Sequence, residues 1–246
     1  MNFDTPPTLI LTGDGSHTLR HGPAAPTFHS LHGAVTESRH IYQRAGLEYA
    51  LQGMRLNESL GGGGGVFRLL EIGLGTGLNA ALVLESCRED SLGLTIEYTA
   101  LEPFPVDPLV ISHLNYASFL KAGAWDDWVQ HYPPFYESIA TKGTAEWSPY
   151  TSRGSCQFKV LNRHWPCVLN QRFDLIFWDA FGPGEAPHLW DGPAWAALDR
   201  VTDSGALMVT FGASGALGRA LLGMGWEVQR LAGPPGKREM IRARKP

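Results

Sequence analysis

The sequence predicts an α/β fold built on a mostly parallel sheet, and three observations predict it. Short apolar runs rich in strand formers alternate with helical segments from Val66 onward, the pattern of a parallel sheet covered by helices on both faces. The run Val66–Ile72 leads into Gly73-Leu74-Gly75-Thr76-Gly77-Leu78-Asn79. Glycines at alternate positions there read as a tight turn from a strand into a helix N-terminus. The last two apolar runs, Trp226–Leu231 and Glu239–Ala243, are joined by Ala232-Gly233-Pro234-Pro235-Gly236 without a helix. They should pair antiparallel at the sheet's edge.

Leu9-Ile10-Leu11-Thr12 and Thr18-Leu19 flank Gly13-Asp14-Gly15-Ser16, a hairpin with an Asp-Gly turn. A helix is expected from an N-cap at Thr36 or Ser38 to about Met54, with Ile41, Ala45 and Tyr49 on one face. Asn57–Gly65 ends in five glycines and reads as a flexible link. Residues 1–60 are thus expected to be an appendage of hairpin and helix, and 61–246 the main domain. Strand Val66–Ile72, a helix near Asn79–Cys87 and strand Leu94–Leu101 open that domain. Strands Phe158–Leu161 and Phe173–Trp178, a helix near Pro193–Arg200, strand Gly205–Phe211 and a helix near Leu217–Met224 continue it. The stretch Lys121–Gln157 breaks the alternation and holds Trp125, Trp128, Tyr132, Phe135, Tyr136, Trp147 and Tyr150. It reads as an insertion near 121–157, either a substrate lid or a satellite core, the second being the commoner use of such aromatics.

A chain of 246 residues, 43% hydrophobic and 18% charged, can bury a sizeable core. The net charge of −4 does not advertise nucleic-acid binding, yet Lys237, Arg238, Arg242, Arg244 and Lys245 crowd the last ten residues. They are either a local basic patch or a solvated tail. Cys87, Cys156 and Cys167 contain no C-x-x-C pair, which argues against a disulfide framework or zinc site and fits a reducing cytoplasm. His29-x-x-His32 is half a metal site at most, and ordinary polar histidines are preferred, so no metal is expected. Neither a secretory leader nor a run of about 18 apolar residues is present.

Glu71 stands two residues before Gly73, and the spacing is G-x-G-x-G rather than the dinucleotide fingerprint. A carboxylate there suits a cationic ligand. S-adenosylmethionine carries a sulfonium and an ammonium, and its carboxylate can use free helix amides. Three strand ends carry carboxylates, Glu71, Glu102 and Asp179, on the side of an α/β sheet where ligands bind. Glu102 lies about where an acidic residue holds ribose hydroxyls. Asp179, in Trp178-Asp179-Ala180-Phe181-Gly182-Pro183, should face the cleft, the alternative being a turn-forming Asx. A mostly parallel sheet closed by a terminal hairpin is the arrangement of class I methyltransferases.

Five motifs in order carry a more specific likeness. They are F-H-S-x-x-G-A-x-x-E-S-R-H (Phe28–His40), E-I-G-x-G-T-G-x-N (Glu71–Asn79), W-D-A-F-x-P (Trp178–Pro183), P-x-x-W (Pro187–Trp190) and G-K-R-E-M (Gly236–Met240). Together, from about Thr8 to Met240, they resemble the methyltransferase domain of the MnmC family, the tRNA 5-methylaminomethyl-2-thiouridine biosynthesis proteins. The resemblance implies methyl transfer from S-adenosylmethionine to the primary amine of 5-aminomethyluridine at the tRNA wobble position. By position it implies that Gly73, Gly75, Thr76, Gly77 and Asn79 cradle the methionine end near Glu71, and that Glu102 holds the ribose. Asp179 would face the sulfonium and the incoming amine as the main catalytic candidate, with Glu37 second. Phe181, Trp190, Lys237 and Arg238 would meet the substrate.

There are departures from the family's pattern. Asn162 stands where the family has an acidic residue near adenine, and Gly218-Arg219 where it carries paired arginines. The oxidase of the bifunctional members has no counterpart in these 246 residues, so a stand-alone transferase is expected, with another enzyme supplying the aminomethyl group. Two other readings stay open: a class I methyltransferase for another amine or small metabolite, and a cofactor-binding protein without catalysis.

Overall fold

The computed structural model describes residues 6–58, 65–89, 94–149 and 155–246. Strands β1 (Thr8–Leu11) and β2 (His17–Arg20) form the expected hairpin. A continuous helix follows as α1 (Ala34–Ser38), a π-helical stretch Arg39–Glu48 and α2 (Tyr49–Glu58). It begins before the expected caps Thr36 and Ser38 because its capping groups come from the hairpin turn. Ser16 Oγ accepts from the Ala34 and Val35 amides at 3.1 and 3.2 Å, and Asp14 Oδ2 accepts from the Thr36 amide at 2.9 Å. These are the donors that a helix start leaves without intrahelical partners. Asn57 and Glu58 still belong to α2, and the glycine link at 59–64 lies outside the described residues.

The main sheet comprises β3 (Val66–Ile72), β4 (Thr95–Leu101), β5 (Thr144–Trp147), β6 (Ser155–Leu161), β7 (Phe173–Trp178), β8 (Thr202–Thr210), β9 (Glu227–Ala232) and β10 (Glu239–Arg244). Its order is β5-β6-β4-β3-β7-β8-β10-β9. Strands β6, β4, β3, β7 and β8 are parallel, whereas β5 runs antiparallel to β6 and β10 antiparallel to both β8 and β9. The terminal hairpin therefore closes one edge, as its helix-free connection requires. Alternate residues divide the core between the sheet's faces. Leu69, Leu175 and Phe177 pack with the N-terminal helix and α3 (Leu78–Glu89). Leu70, Ile176 and Trp178 pack with α6 (Gly192–Arg200) and α7 (Gly215–Gly223). Residues of the N-terminal helix, Ile41, Tyr42 and Leu47, share the first of these clusters with the sheet.

Lys121–Gln157 is more regular than the sequence suggests. After the short α4 (Pro108–Ser112) it forms α5 (Ala124–Lys142) and β5, with residues 150–154, including Tyr150, outside the described residues. Trp125, Trp128, Tyr132, Phe135 and Ile139 are the buried face of α5, at helical spacing. Pro133 and Pro134 sit inside the helix and obscure that periodicity, because proline usually breaks one. These side chains join the main cluster on their face of the sheet rather than forming a core of their own. A second correction concerns cysteine. Cys87 on α3 and Cys156 on β6 are joined by a disulfide, across a sequence separation of 69 that no local spacing could reveal. Cys167 is free.

Candidate functional site

The glycine turn is bent by backbone angles that side chains resist: Gly73, Gly75 and Gly77 have φ of 91°, 54° and 78°. A Cβ on Gly73 would lie 3.0 Å from the Asp179 carbonyl oxygen, and one on Gly77 would lie 2.4 Å from the Trp128 ring. The first contact brings the end of β3 against the end of β7, whose Asp179 amide donates to the Ile72 carbonyl at 3.1 Å. Strand order reverses between these two strands, which is where open α/β sheets bind ligands.

A cavity of about 880 Å³ opens there, within the size range of small-molecule sites. Gly73, Gly75, Glu102 and Asp179 form one side of it, and Glu37 and Lys237 another. Arg163, His164 and Trp165 form a further wall, and the segment from Pro26 to Leu31 covers the glycine turn. Phe28 lies over Gly75 and meets Phe181 edge-on, with ring centres 5.4 Å apart.

The carboxylates have different surroundings. Glu102 accepts from the Gly75 amide at 3.0 Å and the Phe104 amide at 2.8 Å. Burial raises its pKa against the lowering effect of these hydrogen bonds. Asp179 Oδ1 accepts from the Tyr42 hydroxyl at 2.6 Å and its Oδ2 from Asn79 Nδ2 at 2.8 Å. Burial, reinforced by the neighbouring Glu37 charge, raises Asp179 to about 7, although Tyr42, Lys237 and Asn79 pull the other way. Glu37 Oε2 accepts from the Ser30 amide at 2.7 Å, and its Oε1 pairs with Lys237 Nζ at 2.5 Å. Lys237 Nζ also stands 3.9 Å above the Phe211 ring.

Glu71 is fully buried behind the turn and does not line the cavity. Its carboxyl receives Asn79 Nδ2 at 2.8 Å and the Tyr98 hydroxyl. Burial and the nearby Asp179 push its pKa well above the ordinary range. Thr76, Gly77 and Asn79 also lie behind the turn, outside the cavity wall. Asn162 is exposed, with its amide on the Gly143 carbonyl at 2.9 Å, and the wall is formed instead by the three residues after it. Trp190 sits behind Phe181 and donates from Nε1 to the Phe181 carbonyl at 2.7 Å.

The basic C-terminal cluster does not form one patch. Arg238 is exposed, while Lys245 pairs with Asp199 at 2.7 Å and Arg242 lies 3.4 Å over the Tyr49 ring. His29 and His32 diverge. His29 is buried against Thr18 and Tyr116, and burial lowers its pKa to about 4. His32 is exposed and covers Gly236. Sequence reasoning assigned no role to Tyr42, Tyr98, Phe28 or Arg163. Phe28 falls inside a quoted motif, but nothing in the order of residues showed that the two tyrosines reach strand-end carboxyls.

Residues 158–246 match the model of a family described as S-adenosyl-L-methionine-dependent methyltransferase. The chain is 26% identical over 246 residues to the tRNA 5-methylaminomethyl-2-thiouridine biosynthesis bifunctional protein MnmC of Azoarcus sp. (strain BH72), covering 98% of this chain and 36% of that protein. The MnmC of Aromatoleum aromaticum is 27% identical, over 97% of this chain and 35% of its own length. The crystal structure of MnmC2 from Aquifex aeolicus matches with a TM-score of 0.71 at 21% identity, over 99% of this chain and 72% of that one. The chain is thus similar to MnmC along nearly its whole length. Its fold is the class I fold of S-adenosylmethionine-dependent methyltransferases, and S-adenosylmethionine is the cofactor that the family description names. The chain spans about a third of the length of these curated MnmC relatives.

Proposed function

We propose that this protein methylates the primary amine of the 5-aminomethyl group on a tRNA wobble (2-thio)uridine, giving the 5-methylaminomethyl form. The observation that carries this is the convergence of the glycine turn, Glu102 and Asp179 on one cavity in a chain similar to MnmC along 98% of its length. The residues fit the cofactor. A ligand can approach the Gly73 and Gly75 backbone where a Cβ would crowd it. Glu102 is fixed by two backbone amides with its carboxylate available to ribose hydroxyls. S-adenosylmethionine, when bound, supplies an activated methyl group on a sulfonium.

An amine accepts that methyl only through a free lone pair. An alkyl amine resembling lysine, with a pKa of about 10.4, is neutral in roughly one molecule in a thousand at pH 7. The protein must therefore remove a proton, and Asp179, raised to about 7, is matched to that task. Phe28 and Phe181 partly desolvate the amine, which favours its neutral form. Glu37, neutralised by Lys237, borders the same space without adding a full negative charge that would hold the ammonium. The partner is tRNA, with the aminomethyl group made beforehand by another enzyme, and the setting is the cytoplasm. Among the described residues no helix is long and apolar enough to cross a membrane.

The deciding experiment is incorporation of labelled methyl from S-adenosylmethionine into tRNA lacking the final wobble methylation, followed by nucleoside analysis. Label in 5-methylaminomethyl-(2-thio)uridine is the expected result. Cofactor binding without label in any tRNA would move the assignment to a second reading, another amine or small metabolite. One observation favours that reading: Lys237 and Lys245 are engaged in ion pairs, which leaves less positive charge for RNA. Binding of tRNA that weakens steeply with salt would argue against it.

A further inference from the structure

We propose that Tyr42 is a positioning residue that holds the Asp179 carboxylate in place for the substrate amine, with Asn79 gripping the opposite oxygen. This rests on the reading of Asp179 as the base. Tyr42 lies in the π-helical stretch Arg39–Glu48 and is fully buried. Such widened turns are frequent where a side chain serves a site. The stretch cannot drift from the sheet. A Cβ on Gly46 would be 2.9 Å from Val209 and 3.0 Å from Phe177, and the Tyr42 ring packs 5.2 Å from that of Phe177.

The hydroxyl has one short bond, 2.6 Å to Asp179 Oδ1, and a longer alternative acceptor, the Trp178 carbonyl oxygen at 3.4 Å. Asn79 Nδ2 takes Oδ2 and is itself anchored on Glu71 Oε1 at 2.8 Å. Each carboxylate oxygen thus receives one donor from the protein side, while Asp179 itself lines the cavity. When Asp179 takes a proton from the ammonium, that N–H bond breaks, an O–H bond forms, and the amine keeps the electron pair. The Tyr42 hydroxyl can then turn to Trp178.

A donor to a carboxylate favours its ionised form, so Tyr42 also keeps Asp179 competent near neutral pH. The other groups facing Asp179 are Glu37 from the start of the same helix, Lys237 from the β9–β10 loop, Glu71 from β3 and Tyr98 from β4. Glu71 is buried away from the cavity, and Glu37 and Lys237 are paired with each other. Tyr42 is thus the group whose removal changes the carboxylate directly while leaving those charges in place.

The test is the pH dependence of kcat for tRNA methylation by wild type, Tyr42→Phe and Asp179→Asn, with S-adenosylmethionine affinity measured alongside. For Tyr42→Phe the acidic limb should move up by about one pH unit and kcat at pH 7 should fall roughly fivefold, recovering above about pH 9. Cofactor affinity should be unchanged. Difluorotyrosine at position 42, a stronger donor of the same shape, should move the limb the other way. A limb that stays in place in both proteins, with or without a uniform loss of kcat, overturns the proposal. Asp179→Asn with wild-type turnover would instead overturn the assignment of the base, whatever Tyr42→Phe does.

Discussion

Asp14 and Asp179 are the same residue type in opposite surroundings. Asp14, in the β1–β2 turn, accepts from Thr12, Ser16 and the Thr36 amide. Burial alone would raise it, but the Ser16 and Thr36 hydrogen bonds outweigh that and hold it at about 2. Asp179, at the end of β7, has two donors and the Glu37 carboxylate nearby, and burial wins, placing it at about 7. The difference teaches that donor supply measured against desolvation separates a structural carboxylate from one able to exchange a proton near neutrality. Glu71 is shifted in the same direction as Asp179 and is sealed from the cavity altogether.

Four substitutions break or sharpen that contrast. The largest effect is expected for Asp179→Asn, with kcat down about 10²- to 10³-fold at pH 7 and cofactor affinity nearly unchanged. Wild-type kcat should rise with pH through about 7 as Asp179 ionises, and the variant should lose that limb. Normal turnover by Asp179→Asn would leave the contrast without chemical meaning. Next comes Glu102→Ala, which removes a charged acceptor from two amides. Calorimetric titration should find S-adenosylmethionine binding weakened by roughly 10- to 100-fold.

Asp14→Ala should leave kcat almost untouched but cost about 1–2 kcal/mol in urea unfolding, the size of a helix cap. Because the folded pKa of Asp14 lies below its ordinary value, its contribution is present above 3.8 and is lost as pH falls toward 2. The variant's stability should therefore depend less steeply on pH in that window. The smallest effect belongs to Glu71→Gln. Burial pushes this carboxyl toward its neutral form, which a neutral amide mimics, so stability should change by under about 1 kcal/mol. A much larger loss in thermal unfolding would mean that Glu71 is ionised after all.

Much of the sheet could be read from the chain because its signals are local. Val66–Ile72 and Phe173–Trp178 are strands with the expected bounds, and the glycine turn follows where the alternate glycines require it. The π-helical stretch was not legible, since no local pattern in the residues marks it; it packs against β7 and β8. Nor could the sequence separate Glu71 from Asp179. Both close strands, but Asp179 stands one residue beyond β7 whereas Glu71 is still inside β3. That offset turns one carboxyl under the sheet's cover and leaves the other at its rim. The Cys87–Cys156 pair and the hairpin's caps on α1 were hidden for the same reason, being contacts between distant segments.

The long-range character of the site also bears on how the protein is made. Tyr42 meets a residue 137 positions later, and Glu37 meets Lys237 near the end of the chain. During synthesis from the N-terminus, the helix that supplies Glu37 and Tyr42 emerges long before β7, β8 and the β9–β10 loop exist to receive it. Its apolar face must wait uncovered while most of the polypeptide is translated, a delay that exposes nascent chains to aggregation. Slow folding through non-local contacts is the expected kinetic signature. The cavity can form only at the close of folding, once the last strands have docked.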